Sequence, residues 1–183
     1  MFQTLHDVSL MLDRERVGRE ASPTGRVIDS QSVKAREAKT RCYDGDKKIA
    51  GRKRHIAVDT DGRLLMVNLT TADISDSASA QMILDSMRKR WPWLKHLFAD
   101  SANDRTKLMD KAAFLDFTIE IVKRSDTAKG FEILPRRWAV ERTFGWMTRW
   151  HRLVRDYEER IDCSEAMIHV ALGSMLLRRV VYQ

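Results

Sequence analysis

Three acids far apart in the chain sit in three different kinds of local sequence. Asp29 lies in a β-branched run that begins Val27-Ile28, Asp100 closes the apolar triplet Leu97-Phe98-Ala99, and Glu141 falls early in a helical pattern that starts at Pro135. Acids placed on a strand, at a strand end and on a helix can converge at one edge of a sheet. Convergent carboxylates can hold two divalent ions roughly 3.5–4 Å apart, which activates a water or a 3′-hydroxyl and stabilises the leaving oxygen during in-line phosphoryl transfer. Hard oxygen ligands suit Mg²⁺ or Mn²⁺. The chain holds 26 Asp and Glu residues, so spacing alone does not single out these three.

The elements that would position them follow from periodicity and punctuation. A short strand runs from Val27 through Asp29 towards Val33. Two further β-type runs, His55–Asp59 and Leu64–Thr70, are joined by Thr60-Asp61-Gly62, and an Asp-Gly pair between such runs signals a hairpin. Asp73, Ser75 and Asp76 offer cap oxygens to a helix whose apolar face is Ala80, Ile83, Leu84, Met87 and Trp91, stopped by Pro92. The strand ending at Asp100 is followed by a helix containing Leu108, Met109, Ala112 and Leu115, then by the β-branched run Thr118–Val122. The pattern predicts a long helix from Pro135 to about Glu159 with Val140, Phe144, Met147, His151 and Val154 on its buried stripe, and a last helix over Ser164–Val181. This order describes an α/β fold, a mixed five-stranded sheet flanked by helices with two helices at the C-terminus. Residues 1–25, a short amphipathic run, a charged stretch Asp13-Arg14-Glu15-Arg16 and the breaker Ser22-Pro23-Thr24-Gly25, read as a helical stub and linker ahead of a domain over 26–183.

Composition narrows the partners. Lys and Arg outnumber Asp and Glu by 33 to 26, for a net charge of +7, which favours an anionic partner, nucleic acid first. The longest apolar stretch near the C-terminus, Ala166–Leu177, is far shorter than a bilayer span and includes His169, and no secretory pattern opens the chain. A cytoplasmic protein without a membrane partner is the expectation. Cys42 and Cys163 lack the paired spacing of a zinc site and read as free thiols.

Four segments carry a family likeness: Val27-Ile28-Asp29-Ser30-Gln31-Ser32-Val33-Lys34, Gly51-Arg52-Lys53-Arg54-His55-Ile56-Ala57-Val58-Asp59-Thr60, Leu97-Phe98-Ala99-Asp100, and Leu134-Pro135-Arg136-Arg137-Trp138-Ala139-Val140-Glu141-Arg142-Thr143-Phe144. In that order they resemble the blocks of bacterial insertion-sequence transposases of the DDE type, and the likeness covers nearly all of residues 26–182. It implies a ribonuclease-H-like fold with Asp29, Asp100 and Glu141 as catalytic metal ligands for two Mg²⁺ or Mn²⁺ ions. It also implies DNA as partner and substrate, at transposon ends and at the target, a homodimer on DNA, and a bacterial, nucleoid-associated location when DNA is bound. Arg137, four residues before Glu141, repeats the family's arginine-then-glutamate helix signature and shares a helix face with it; it either contacts a phosphate or orients Glu141. Departures are visible too. Relatives place small, glycine-rich residues and an aromatic where this chain has Ser101-Ala102-Asn103-Asp104-Arg105, and a Tyr and a Lys where it has Leu134 and Thr148. They also carry a further N-terminal helical domain that recognises transposon ends, which 25 residues cannot contain, so a truncated, inactive DNA-binding or inhibitory fragment is the alternative to a working enzyme. A ribonuclease-H-like nuclease that cuts without joining is a third reading.

The stretch Lys34–Arg54 holds nine cations against three acids and could neutralise the phosphate backbone. From it Lys34, Arg52, Lys53 and Arg54 are expected at DNA, joined by Arg137, Arg142 and Arg149 from the long helix, whose guanidinium forks match phosphate oxygens. Trp138, Trp146 and Trp150 are expected to pack in the core in preference to stacking on an unpaired base. His55 and His151 are expected to be structural.

Overall fold

A computed structural model describes residues 1–100, 105–122 and 135–182, and for residues 76, 77, 79, 100, 105–107, 135 and 136 the backbone alone. The elements are α1 (Phe2–Arg16), β1 (Gly25–Lys34), β2 (Cys42–Asp44), β3 (Ile49–Asp59), β4 (Leu64–Thr71), α2 (Asp76–Arg90), β5 (His96–Asp100), α3 (Arg105–Phe114), β6 (Thr118–Val122), α4 (Pro135–Thr148) and α5 (Ile161–Val181). The sheet runs β2-β3-β1-β5-β6, and β4 pairs with β3 as well. The five expected strands are present, joined by the three-residue β2, which shares the outer edge of β3 with β4. β4, β3 and β1 form an antiparallel meander, and β5 and β6 join β1 in parallel through the helical crossovers that parallel pairing requires.

Strand alternation sorts the core into two layers. On one face Ile28, Ala57, Leu97 and Ala99 pack with Ile83, Leu84 and Met87 of α2 and Leu108 and Ala112 of α3. On the other, Val27, Ile56, Val58 and Phe98 meet Val140, Phe144 and Met147 of α4 and Ile168 and Leu172 of α5. The hairpin at Asp61-Gly62 forms as expected, with Gly62 at φ +79°, and the Ser75 hydroxyl caps α2 at the Ala78 N–H.

Two expectations need correction. The long helix stops at Thr148, and a single 3₁₀ turn, His151–Leu153, follows before α5 begins at Ile161. His151 and Val154 are exposed, and Leu153 takes the buried place. Secondly, α1 packs along α5 with Leu10 in the core beside Leu176. Its charged end is buried: Asp13 accepts from Arg63 Nε at 2.6 Å, and Arg14 bonds Asp59. Paired this way, the charges tie α1 to the β3–β4 turn. Both cysteines are exposed free thiols, and among the described residues no helix is long and apolar enough to cross a membrane.

The seam between α1 and α5 holds two buried rings. His6 and His169 meet edge to face with centroids 5.2 Å apart. Burial pushes the His169 imidazole down to about 4, helped by His6 and Arg90 and opposed by Asp7. A histidine whose folded value lies below its unfolded one stabilises the fold above about 6.5, and that contribution is lost as pH falls towards 4, because the unfolded chain binds the proton more readily. Urea midpoints are therefore expected to fall over that window in the wild type and to fall less in His169→Phe. Parallel curves for the two would count against this account.

Candidate active site

The parallel pairing of β1 and β5 sets two of the three acids. The last paired residues are Ile28 and Ala99; one step further along each strand come Asp29 and Asp100, level with each other on neighbouring strands about 4.8 Å apart. Asp100 itself pairs with Val122 of β6, and its side chain lies outside the described residues. Asp29 is half-buried, and one oxygen of its carboxylate accepts the Ser30 N–H at 2.7 Å. It follows Val27 by two residues and so belongs to the face covered by α4.

That helix brings the third acid. Arg137 and Glu141 stand one turn apart with Nε 3.2 Å from Oε1, both partly open to solvent. Arg137 also lines two cavities with Asp29: a small one floored by Val27, Ala99 and Val140, and a larger one of about 330 Å³. The larger is walled by Ser30, Ser32, Asp44, Lys47, Lys53 and His55, with Ile28, Ala80 and Ile83 as its apolar side. Arg137 therefore stands between Asp29 and Glu141.

The position of α4 is fixed by the β3–β4 turn. Thr143 Oγ1 donates to Gly62 O at 2.6 Å, and Arg142 Nη2 to Asp61 O. A Cβ on Gly62 would lie 2.9 Å from Ala139 O and 3.0 Å from Thr143 Oγ1, at a positive φ that disfavours a side chain. Gly62→Ala is thus expected to cost about 1–3 kcal/mol in strain and to shift the helix turn bearing Glu141. Any nicking activity should then fall in kcat with DNA affinity retained; urea melts and single-turnover rates read the two effects, and an unchanged rate would reject the link.

The seven expected DNA contacts divide sharply. Lys34 and Arg149 are exposed, and Arg137 is at the cavity. Arg52 and Arg54 are corrections: both are buried inside β3. Arg52 donates to Asp156 Oδ2, Glu158 O and Ser164 Oγ, each at 3.0 Å, and to Glu159 O at 2.6 Å and Thr40 O at 3.0 Å. Arg54 donates to Leu153 O at 2.8 Å, and burial draws its guanidinium down to about 10, with Asp156 opposing. Neither has surface to offer a phosphate. Lys53 is nearly buried and bonds Ile74 O at 2.9 Å, and Arg142 is held by the Asp61 carbonyl. Lys47, which the sequence reading did not single out, lines the Asp29 cavity; only its place in the three-dimensional turn reveals it.

Other expectations fare as follows. His55 is buried with Nε2 2.8 Å from Thr70 Oγ1, a structural role, whereas His151 is exposed. Trp146 is partly buried between the guanidiniums of Arg142 and Arg179, at 5.0 and 4.5 Å from the ring centre. Trp138 is 44% exposed, on the surface of α4 and not in the core. Residues 101–104 and Leu134, where the chain departs from its relatives, lie outside the described residues. Thr148 is exposed at the end of α4, and its hydroxyl donates to Gly145 O at 2.8 Å.

Among the described residues no three acidic, histidine or cysteine side chains are gathered as a metal site, and the Asp100 side chain lies outside them; what can be compared is the chemistry of the donors. Asp29 and Glu141 present partly exposed carboxylate oxygens, and Asp100 stands on the strand next to Asp29; oxygen-only ligands of this kind suit Mg²⁺ or Mn²⁺.

Comparison with known proteins gives the family and the fold. The family profile described as a transposase DDE domain matches residues 20–176. A transposase of insertion sequence element IS402 from Burkholderia cepacia is 28% identical over 140 residues, 72% of this chain and 64% of the relative, so the chain spans less than two-thirds of that protein's length. Among solved structures, the catalytic core domain of BIV integrase superposes with a TM-score of 0.50 at 13% identity, over 84% of this chain and 83% of that one. A chain of the simian T-cell lymphotropic virus intasome, in complex with a PP2A regulatory subunit, gives 0.57 at 15% identity, over 84% and 48%. At such identities these neighbours establish the fold, the ribonuclease-H-like fold of integrase cores, while the profile match across most of the sequence establishes kinship: the chain belongs to the family of transposase DDE domains.

Proposed function

We propose that this chain is the catalytic core of a DNA transposase, cutting DNA at transposon ends and transferring the freed 3′-hydroxyl to target DNA. The observation that supports the reading is the register of β1 and β5, which leaves Asp29 and Asp100 one step beyond the paired Ile28 and Ala99, together with Arg137, which lines the Asp29 cavities and pairs with Glu141 on α4. These three carboxylates would hold two Mg²⁺ or Mn²⁺ ions, which when bound supply charge neutralisation at the phosphate and a more acidic nucleophile. Asp29 is kept in place by the Ser30 N–H. Arg137, ion-paired with Glu141 and lining the Asp29 cavities, orients the glutamate and presents a cation to the phosphate. Lys34 and Arg149 extend the cationic surface to the flanking DNA, and two copies act on paired ends.

Labelled duplex carrying the element's ends, incubated with the chain in Mg²⁺ or Mn²⁺, tests this directly. Nicked products followed by strand-joined products are expected. Nicking without joining would indicate a nuclease, and salt-dependent binding with no cleavage in either metal would indicate a DNA-binding fragment. Either result overturns the proposal.

A further inference from the structure

The cations of the basic stretch are mostly committed to the fold. Arg52, Lys53 and Arg54 bond interior carbonyls, Arg41 bonds Ala35 O, and Lys39 pairs with Glu159. Lys47 differs. Its side chain is exposed, it lines the cavity that Asp29 and Arg137 also line, and among the described residues its ammonium makes no hydrogen bond or ion pair.

The turn that carries it is held firmly. Asp44 is buried, 5% exposed, and accepts from Ser32 Oγ and from the N–H groups of Asp46 and Lys47, both at 3.0 Å. Those bonds, with the Lys53 ammonium 3.7 Å away, hold its carboxyl below the usual range. Lys48 sits at φ +54°, a left-handed conformation that is costly without glycine and persists only where the surroundings impose it. Ser32 lies on β1 three residues beyond Asp29, so the Asp44 carboxylate couples the β2–β3 turn to the strand bearing the first catalytic acid. Asp46 lines the same cavity, and it is the acid nearest in sequence to Lys47; Asp44 is balanced by Lys53.

We propose that Lys47 holds a DNA backbone phosphate beside the one at Asp29, and that Asp44 is the positioning residue that keeps the Lys47 turn over the cavity. The inference rests on the transposase reading for the identity of the strand, but its physical content is a phosphate contact at a defined residue. A lysine there acts as a compact charge on a flexible stem, suited to a phosphate whose exact orientation varies with sequence. Because such a contact releases counterions, removing it should flatten the salt dependence of binding.

The test uses the full chain and a labelled duplex, with binding measured across about 50 to 200 mM salt without divalent ion and nicking measured in Mg²⁺. Lys47→Ala is expected to weaken binding several-fold, to reduce the slope of log K against log salt by about 0.9, and to raise KM for nicking with kcat nearly unchanged. Lys47→Arg should restore most of both. Lys95→Ala, an exposed cation beside the start of β5, should change neither. Asp44→Ala should raise KM as Lys47→Ala does, and the double variant should be no worse than Lys47→Ala alone, the non-additivity of residues acting through one contact. A Lys47→Ala slope equal to the wild type, or fully additive losses in the double variant, would overturn the inference. A wild-type chain that binds duplex and never nicks would overturn the catalytic reading alone, because the slope still reports on Lys47.

Discussion

Asp29→Asn is expected to lower nicking and strand joining by more than about 100-fold, beyond the 10- to 100-fold loss typical of a residue that only supports a metal ligand. The substitution keeps size and shape, and its side-chain oxygen can still accept the Ser30 N–H that holds the aspartate at 2.7 Å. What it removes is the negative charge at the strand position level with Asp100. Glu141→Gln should behave alike, with a second consequence: the substitution removes a negative charge 3.2 Å from Arg137, beside the path of an anionic strand. Duplex affinity measured without metal should therefore hold or rise slightly in Glu141→Gln while cutting collapses. Mn²⁺ binding followed by calorimetry gives a readout that does not depend on turnover, and both variants should bind it more weakly. Activity within about tenfold of the wild type in either variant, with the urea midpoint unchanged, would refute the assignment of that residue, since a lost ligand charge cannot be so cheap in two-metal chemistry.

The elements that carry the candidate acids were legible in the sequence because their signals are local. Asp29 and Asp100 each end a short apolar run whose β-character is plain, and Glu141 follows Arg137 at the spacing of one helical turn. Their alignment was not legible: it follows from the parallel register of β1 and β5, which only the fold shows. The hairpin at Asp61-Gly62 was equally local, a two-residue signal with one backbone solution. Its second use was not legible: Gly62 also admits Ala139 O and Thr143 Oγ1 of α4, a contact between residues about eighty apart that only the folded chain brings together.

The errors share a physical cause. Arg52 and Arg54 read as surface cations because they stand in a run of basic residues, and the segment after Thr148 read as helix because its apolar spacing continues. In the fold these are two halves of one arrangement. β3 begins at Ile49, so the arginines alternate into a buried face where a DNA-facing basic stretch was expected. There they donate to Leu153 O, a carbonyl that a continuing helix would have bonded to itself, and to Glu158 O and Glu159 O at the end of the expected helix. Tertiary donors thus replace helical ones, and local propensity loses to them. The charged stretch of α1 was read as part of a helical stub and linker, and in the fold Asp13 and Arg14 are buried against Arg63 and Asp59.

Arg52→Met is accordingly expected to destabilise the fold by about 3–5 kcal/mol, the range for removing one partner of a buried ion pair, out of a total that for domains is typically about 5–15 kcal/mol. Two effects add. Asp156, 3% exposed, keeps the Ser164 hydroxyl and the Glu158 N–H but loses the charge that balanced it. Glu158 O, Glu159 O and Thr40 O lose donors in a place where water enters poorly. Arg52→Lys should fall between, since an ammonium restores the charge but cannot span both the Asp156 side and the Thr40 side of the guanidinium fork. Urea unfolding measures both losses, and a cost below about 1 kcal/mol for Arg52→Met would show that the network contributes little. The same variant separates structure from recognition. If enough of it folds to bind duplex, its salt slope should equal the wild type, because Arg52 meets no phosphate, whereas Lys47→Ala should change the slope and leave the urea midpoint alone. Two cations five residues apart in one basic run would then have opposite signatures, one in stability and one in binding. Burial inside β3 against exposure on its entering turn is the difference that produces them.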